Sequence, residues 1–269
     1  MNVLIIGKPR TRTSYLCDAY NKYYGLKNFH EVFDSASHIH DLYIRSKMLK
    51  KKDTKNYLMS GQTLFVSNKV KEIFLKNNSV VKLFPRHIIC KYGNLKNFDN
   101  LQRYDFLENL LNFDFAPLND LSTLLQLKNY NKIYILERNL VDSAISFCYA
   151  IKVNNFLFSD TPTISHVQKK YERVVYDAND FGYLNFAIFE HLISEKLKIY
   201  IAQNFNYTNL DFDHVPKYVD TTFPNLSKSD YIDPKFNYKE IITNYDEVKN
   251  YINTAYAEFS ARFDHIIFS

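Results

Sequence analysis

Residues Asn2–Tyr20, NVLIIGKPRTRTSYLCDAY, decide how the rest of the chain is read. Asn2 to Ile6 is an apolar run of strand length. From Arg12 to Tyr24 the residues Tyr15, Leu16, Ala19, Tyr20 and Tyr23 recur at helical spacing, and Gly25 stands where a helix takes a left-handed C-cap. Between them lies GKPRTRTS, Gly7–Ser14. A strand followed at once by a helix aims unpaired backbone N–H groups at one point, and the helix dipole adds partial positive charge there. Thr11, Thr13 and Ser14 supply hydroxyl donors, while Lys8 and Arg10 supply full charge. That combination suits a phosphate or sulfate group. A threonine N-cap beside exposed basic residues is the other reading of the same turn. The Walker A pattern GxxxxGK[ST] is unmet: no second glycine follows Gly7 in the turn and no lysine precedes Ser14, so an ATP kinase loses ground.

The same alternation continues outward. Thr63–Lys76 reads as a helix, Ser79–Phe84 as a strand stopped by Pro85, Lys132–Leu136 as a strand, and 141–152 as a helix. Tyr207–Phe212 reads as a further strand and Asp246–Phe263 as a long closing helix. Strands alternating with helices predict an α/β fold, a mostly parallel central sheet flanked by helices. With 269 residues, 46% of them hydrophobic, there is ample material for one core. The chain reads as a single domain, 1–269, with irregular polar insertions near 35–60 and 153–182 that form a pocket or lid. The basic run RSKMLKKKDTK, Arg45–Lys55, reads as a solvated face, or as a rim that attracts an acidic acceptor.

A net charge of +5 fits an anionic small ligand and is too small to argue for nucleic acid. Cys17, Cys90 and Cys148 are scattered without a CxxC spacing, which argues against a disulfide framework or zinc site and for reduced, cytoplasmic thiols. No secretion signal is visible, no window approaches the ~20 apolar residues of a membrane span, and no metal is expected.

A second stretch, KIYILERNLVDSAISFCYA at Lys132–Ala150, changes the weight of the first. Arg138 ends a strand; Asn139 and Asp142 open the next helix, where Asp favours the helix start by charge alone; Ser146 lies one turn further on. A residue at a strand end and another in the following helix both face the crevice outside the carboxyl ends of the strands. Arginine brings a fixed fork suited to phosphate, and serine brings a hydroxyl.

Taken together, the two motifs resemble those of the cytosolic and bacterial sulfotransferases that use 3′-phosphoadenosine 5′-phosphosulfate (PAPS). Their first loop reads like PKSGTT or PRSGTT, against Pro9-Arg10-Thr11-Arg12-Thr13-Ser14; their second reads like RNPxDxxxS, against Arg138 to Ser146 with Arg, Asn, Asp and Ser in register. The resemblance implies a P-loop-like sulfotransferase architecture. It implies that Arg138 and Ser146 bind the 3′-phosphate. It implies that Lys8, Pro9, Arg10, Thr11, Arg12, Thr13 and Ser14 bind the 5′-phosphosulfate, with Arg10 at the family's lysine position beside the leaving group and Lys8 next. Arg12 stands where the family has glycine, and the family's late RKGxxGDW element is missing.

Sulfuryl transfer also needs a base for the acceptor's proton. Glu31, in GLKNFHEVFD, falls where the trehalose-type bacterial enzymes carry a catalytic glutamate after their first helix. His87, in VVKLFPRH, lies three residues beyond the position of the animal enzymes' histidine, which is Phe84 here; Lys82 matches the lysine of that strand end, which the resemblance implies is a sulfate contact, a solvated lysine at a strand end being the other reading. His30 is a third candidate. A PAPS-dependent transfer to a small hydroxylated acceptor is the leading expectation. A nucleotide-binding relative without transfer and a P-loop phosphotransferase are the alternatives.

Overall fold

The computed structural model describes residues 1–8, 11–29, 78–85, 127–152, 173–226 and 237–264. Five strands form one all-parallel sheet: β1 (Val3–Gly7), β2 (Lys27–Asn28), β3 (Ser79–Leu83), β4 (Lys132–Glu137) and β5 (Thr208–Asp211), in the order β2-β3-β1-β4-β5. Central strands of a parallel sheet are covered on both faces and read as continuous apolar runs. Accordingly β1 and β3 are buried at every position, and β4 at all but its two ends.

The helices are α1 (Thr13–Tyr24), α2 (Leu140–Lys152), α3 (Ala178–Asn204), α4 (Val215–Thr222), α5 (Tyr238–Ile241) and α6 (Tyr245–Phe263). Alternate β1 side chains enter different cores. Val3 and Ile5 pack with Leu16, Cys17 and Tyr20 of α1 and Val215 and Val219 of α4. Leu4 and Ile6 pack with Ile145 and Cys148 of α2, Leu184, Ile188 and Leu192 of α3, and Val248 and Ile252 of α6. No helix among the described residues is long and apolar enough to cross a membrane.

This order places the crevice. The chain leaves β1 over the α1 face and moves toward β2 and β3; it leaves β4 over the α2–α3 face and moves toward β5. The two connections diverge, and the carboxyl ends of β1 and β4 flank the gap. The β1–β4 register runs to Gly7 opposite Leu136, so both sequence motifs begin at that edge.

The expected α/β fold with a largely parallel sheet is observed, and among the described residues every strand pair of the sheet is parallel. Of the irregular segment expected at 153–182, residues 153–172 lie outside the described residues; beyond them Val174 bridges Ile242, and α3 starts at Ala178. Asn185, Glu190 and Ser194 are buried on α3 among Leu184, Ile188 and Leu192, while the apolar Ile199 is exposed, so no clean apolar stripe is left for periodicity to detect. The expected helix at 63–76, the insertion at 35–60 and the basic run at 45–55 lie outside the described residues.

Gly7 is where the strand becomes the turn. A Cβ there would stand 2.6 Å from Thr11 Oγ1, 2.8 Å from Thr13 Cγ2 and 3.2 Å from Leu136 Cβ. Strand, turn and neighbouring strand close on this point from three sides. Gly7→Ala is expected to cost about 1–3 kcal/mol in denaturant unfolding, the usual range for overpacking. A cost under about 0.5 kcal/mol would mean the turn is looser than drawn.

Candidate functional site

At the first turn, Thr11 is fully buried and its Oγ1 donates to the carbonyl of Lys8 at 2.6 Å. Thr13 is buried as well, and Ser14 Oγ accepts a hydrogen bond from Lys82 Nζ at 2.9 Å. Lys82 comes from β3, opposite Ile5 of β1, so it reaches the α1 side of the sheet. The start of α1 thus gathers orphan backbone N–H groups, a hydroxyl and an ammonium.

The N-cap of α1 is Arg12, and it makes no side-chain cap, so the threonine-cap reading fails. Arg12 has φ 63° and ψ 22°, the left-handed region. The motif resemblance implies glycine at this place, and Arg12 adopts the backbone conformation that glycine would supply freely. The side chain offsets that strain: its guanidinium lies 3.8 Å from the Phe212 ring centroid, and its Nη1 donates to the Phe212 carbonyl. Both Arg12→Ala and Arg12→Gly lose this stack, but only glycine relieves the backbone. Arg12→Gly is therefore expected to be more stable than Arg12→Ala by about 1 kcal/mol in denaturant melts. Equal stabilities would remove the strain argument.

At the second turn, Arg138 lies with its guanidinium 4.2 Å from the same Phe212 centroid and 5.9 Å from that of Tyr238. Phe212 follows β5, and its N–H donates to the Glu137 carbonyl at 2.7 Å, which holds the ring beside the end of β4. Two cationic side chains from distant parts of the sequence thus share one aromatic ring at the crevice. A guanidinium stacked face-on keeps its donors in its own plane, directed past the ring edge.

Asn139 caps the start of α2: its Oδ1 accepts the Asp142 N–H at 2.8 Å, and its Nδ2 donates to the Asp142 carboxylate. Their place in the motif has a local structural reason. Ser146 is 3% exposed, on the packed face of α2.

Lys8 follows a different course from its neighbours. Alternation along β1 sends it to the α3 side, where it is 4% exposed. Its Nζ donates to the carbonyl of Arg138 at 3.1 Å and to His191 Nδ1. His191 Nε2 faces Glu195 Oε1 at 3.4 Å, and Tyr256 donates to Glu195 Oε2 at 2.9 Å. A donor at Nδ1 and a carboxylate at Nε2 require neutral His191 with its proton on Nε2. Burial lowers the His191 pKa, and the Lys8 charge adds to this against the pull of Glu195. Burial also brings the Lys8 ammonium down to about 8, only partly opposed by Glu190, Glu195 and Glu137. Burial alone would raise the Glu195 carboxyl, but the contacts with His191 and Tyr256 and the nearby Lys8 charge together outweigh it and leave the carboxyl below its ordinary range.

Sequence reasoning missed His191, Glu195 and Phe212. The first two hide in a helix without a stripe, although their i,i+4 spacing was visible. Phe212 was one aromatic among 22 Phe and 22 Tyr. Pro9, Arg10, His30, Glu31 and His87 lie outside the described residues. No family model matches the chain, and no curated protein matches it. The site is therefore argued from its own geometry and from the motif resemblance.

Proposed function

We propose that the protein is a sulfotransferase that takes a sulfuryl group from PAPS and passes it to a hydroxyl or amine of a small acceptor, of the carbohydrate or lipid-headgroup class. One observation carries this: Arg12 and Arg138, from the two motifs, meet on Phe212 at the edge between β1 and β4. A ligand with anionic groups at both ends suits two such cationic turns, and a doubly phosphorylated adenosine has that form. In this reading the 3′-phosphate lies toward Arg138 and Ser146. The 5′-phosphosulfate lies toward the start of α1, with Thr13, Ser14 and Lys82.

The reaction then follows from charge. The acceptor oxygen or nitrogen forms its bond to sulfur as the bridging sulfur–oxygen bond to phosphate breaks. Negative charge grows on the leaving phosphate, which the Lys82 ammonium and the Arg10 guanidinium offset. The acceptor's proton passes to a base, Glu31 in this reading, with His87 as the other candidate. A cytoplasmic setting goes with it, since Cys17 and Cys148 are buried thiols.

One observation favours a second reading, a nucleotide-binding relative without transfer: Arg12 uses the left-handed position of the turn for its stack on Phe212. Thermal unfolding with adenosine 3′,5′-bisphosphate, ADP and 5′-AMP tests what both readings share. Stabilisation that requires the 3′-phosphate supports them, whereas a preference for ADP with Mg²⁺ points to a phosphotransferase and sinks both. Mass spectrometry of an acceptor panel incubated with labelled PAPS then separates them, because only an enzyme adds SO₃ to an acceptor.

A further inference from the structure

The β1–β4 ladder ends at Gly7 and Leu136, yet the two turns beyond it remain joined by a side chain. Lys8 Nζ crosses to the Arg138 carbonyl at 3.1 Å, and His191 holds that ammonium from α3. Glu195, one helical turn along, faces the other ring nitrogen at 3.4 Å and is itself held by Tyr256 of α6. We propose that His191 is a positioning residue which, backed by Glu195 and Tyr256, holds Lys8 against the Arg138 carbonyl and so fixes the first anion-binding turn relative to the second.

The reasons are steric and electrostatic. Lysine has four rotatable bonds and loses rotamer freedom when held in one geometry, so a buried lysine keeps a single direction only where acceptors fix it. Here the acceptors are a carbonyl on β4's exit and a ring nitrogen on α3. The charged and titratable groups acting on Lys8 are His191, Glu190 and Glu195 from α3, and Glu137 and Arg138 from the end of β4. Glu137 is in turn neutralised by Lys198, whose Nζ lies 2.9 Å from both carboxylate oxygens. The brace therefore depends mainly on the neutral His191 and its carboxylate. Because Lys8 directs its ammonium into the protein, His191 acts on Arg138 through the backbone and does not touch the ligand.

The role in ligand binding rests on the proposed nucleotide site, while the brace itself does not. His191→Leu removes the acceptor, and His191→Asn keeps a carbonyl oxygen close to the place of Nδ1. In the wild-type protein, ¹⁵N-labelled lysine NMR is expected to show one ammonium titrating near pH 8, assigned by its loss in Lys8→Met. In His191→Leu that titration moves lower by about one pH unit, and His191→Asn restores it. Affinity for adenosine 3′,5′-bisphosphate falls roughly tenfold in His191→Leu and recovers in His191→Asn. If His191→Leu does not fold, Glu195→Gln takes its place and shifts the Lys8 titration the same way. An unchanged Lys8 titration across the variants overturns the brace. If the wild-type protein binds no such nucleotide, the proposed function fails, and the brace is judged on the titration alone.

Discussion

Arg138→Ala removes the stabilisation that adenosine 3′,5′-bisphosphate gives to the wild-type protein. Ligand at ~100 times its dissociation constant adds roughly 2.7 kcal/mol to folding, which for a chain of this size raises the melting temperature by about 5–10 °C. In the proposed site Arg138 is the donor for the 3′-phosphate, and its guanidinium is already oriented on Phe212, so little ordering remains for binding to supply. Truncation deletes a bidentate donor and leaves a phosphate facing a neutral turn. Losing the stack will itself lower the stability of the empty protein by about 0.5–1 kcal/mol. The shift must therefore be read against each variant's own unliganded melt. Arg138→Lys separates charge from geometry: it keeps the cation, lacks the planar fork, and is expected to recover only part of the shift. A full wild-type shift in Arg138→Ala would mean that the 3′-phosphate lies elsewhere.

The sequence showed the frame because parallel strands buried on both faces leave a plain signal. NVLII, SVVKL and KIYIL are apolar whatever packs on them, and β1, β3 and β4 fall within a residue or so of where those runs predict. Gly25, at φ 63°, ends α1 as its position implied. β5 and α6 also fall where the sequence reading placed them, although β5 is an edge strand with only Leu210 buried. The helix α3 was not, because buried Asn185, Glu190 and Ser194 interrupt its apolar positions and blur the stripe that would announce a helix. The site was half legible. Residue type and spacing identified the two turns, and the sheet order brings them to one edge. What residue type could not give was direction. Lys8 and Ser14 looked equivalent in GKPRTRTS, but the strand's alternation ends by sending Lys8 toward α3, while Ser14 faces Lys82 on the other side of the sheet. The Arg12–Phe212–Arg138 contact depends on side chains from three separate segments meeting, and no local pattern encodes that.

Lys8 also makes the stability of the protein depend on alkaline pH. Its folded-state pKa is about 8 against 10.5 for the unfolded chain, because burial penalises the charge more than Glu190, Glu195 and Glu137 repay. Between those values the unfolded state holds more protons than the folded one, so stability rises with pH across that window. Below pH 8 the full cost of the buried ammonium is present; at 1.36 kcal/mol per pH unit its removal is worth about 3 kcal/mol by pH 10.5. The raw profile of the wild-type protein will not show this cleanly. Burial raises the Cys148 thiol above 9.0 and the Tyr20, Tyr130, Tyr134 and Tyr176 hydroxyls above 10.0, so the unfolded chain loses those protons first and stability falls. The measurement is therefore a difference. Lys8→Met keeps those groups and deletes the lysine, so the other titrations cancel between the two proteins. Chemical denaturation from pH 7.5 to 10.5 should show the wild type gaining about 3 kcal/mol on Lys8→Met over that range. The variant's loss of the bond to the Arg138 carbonyl sets a constant offset and leaves the slope untouched. A pH-independent difference would mean that Lys8 titrates like a lysine in water, and that the ammonium is not enclosed between β4 and α3.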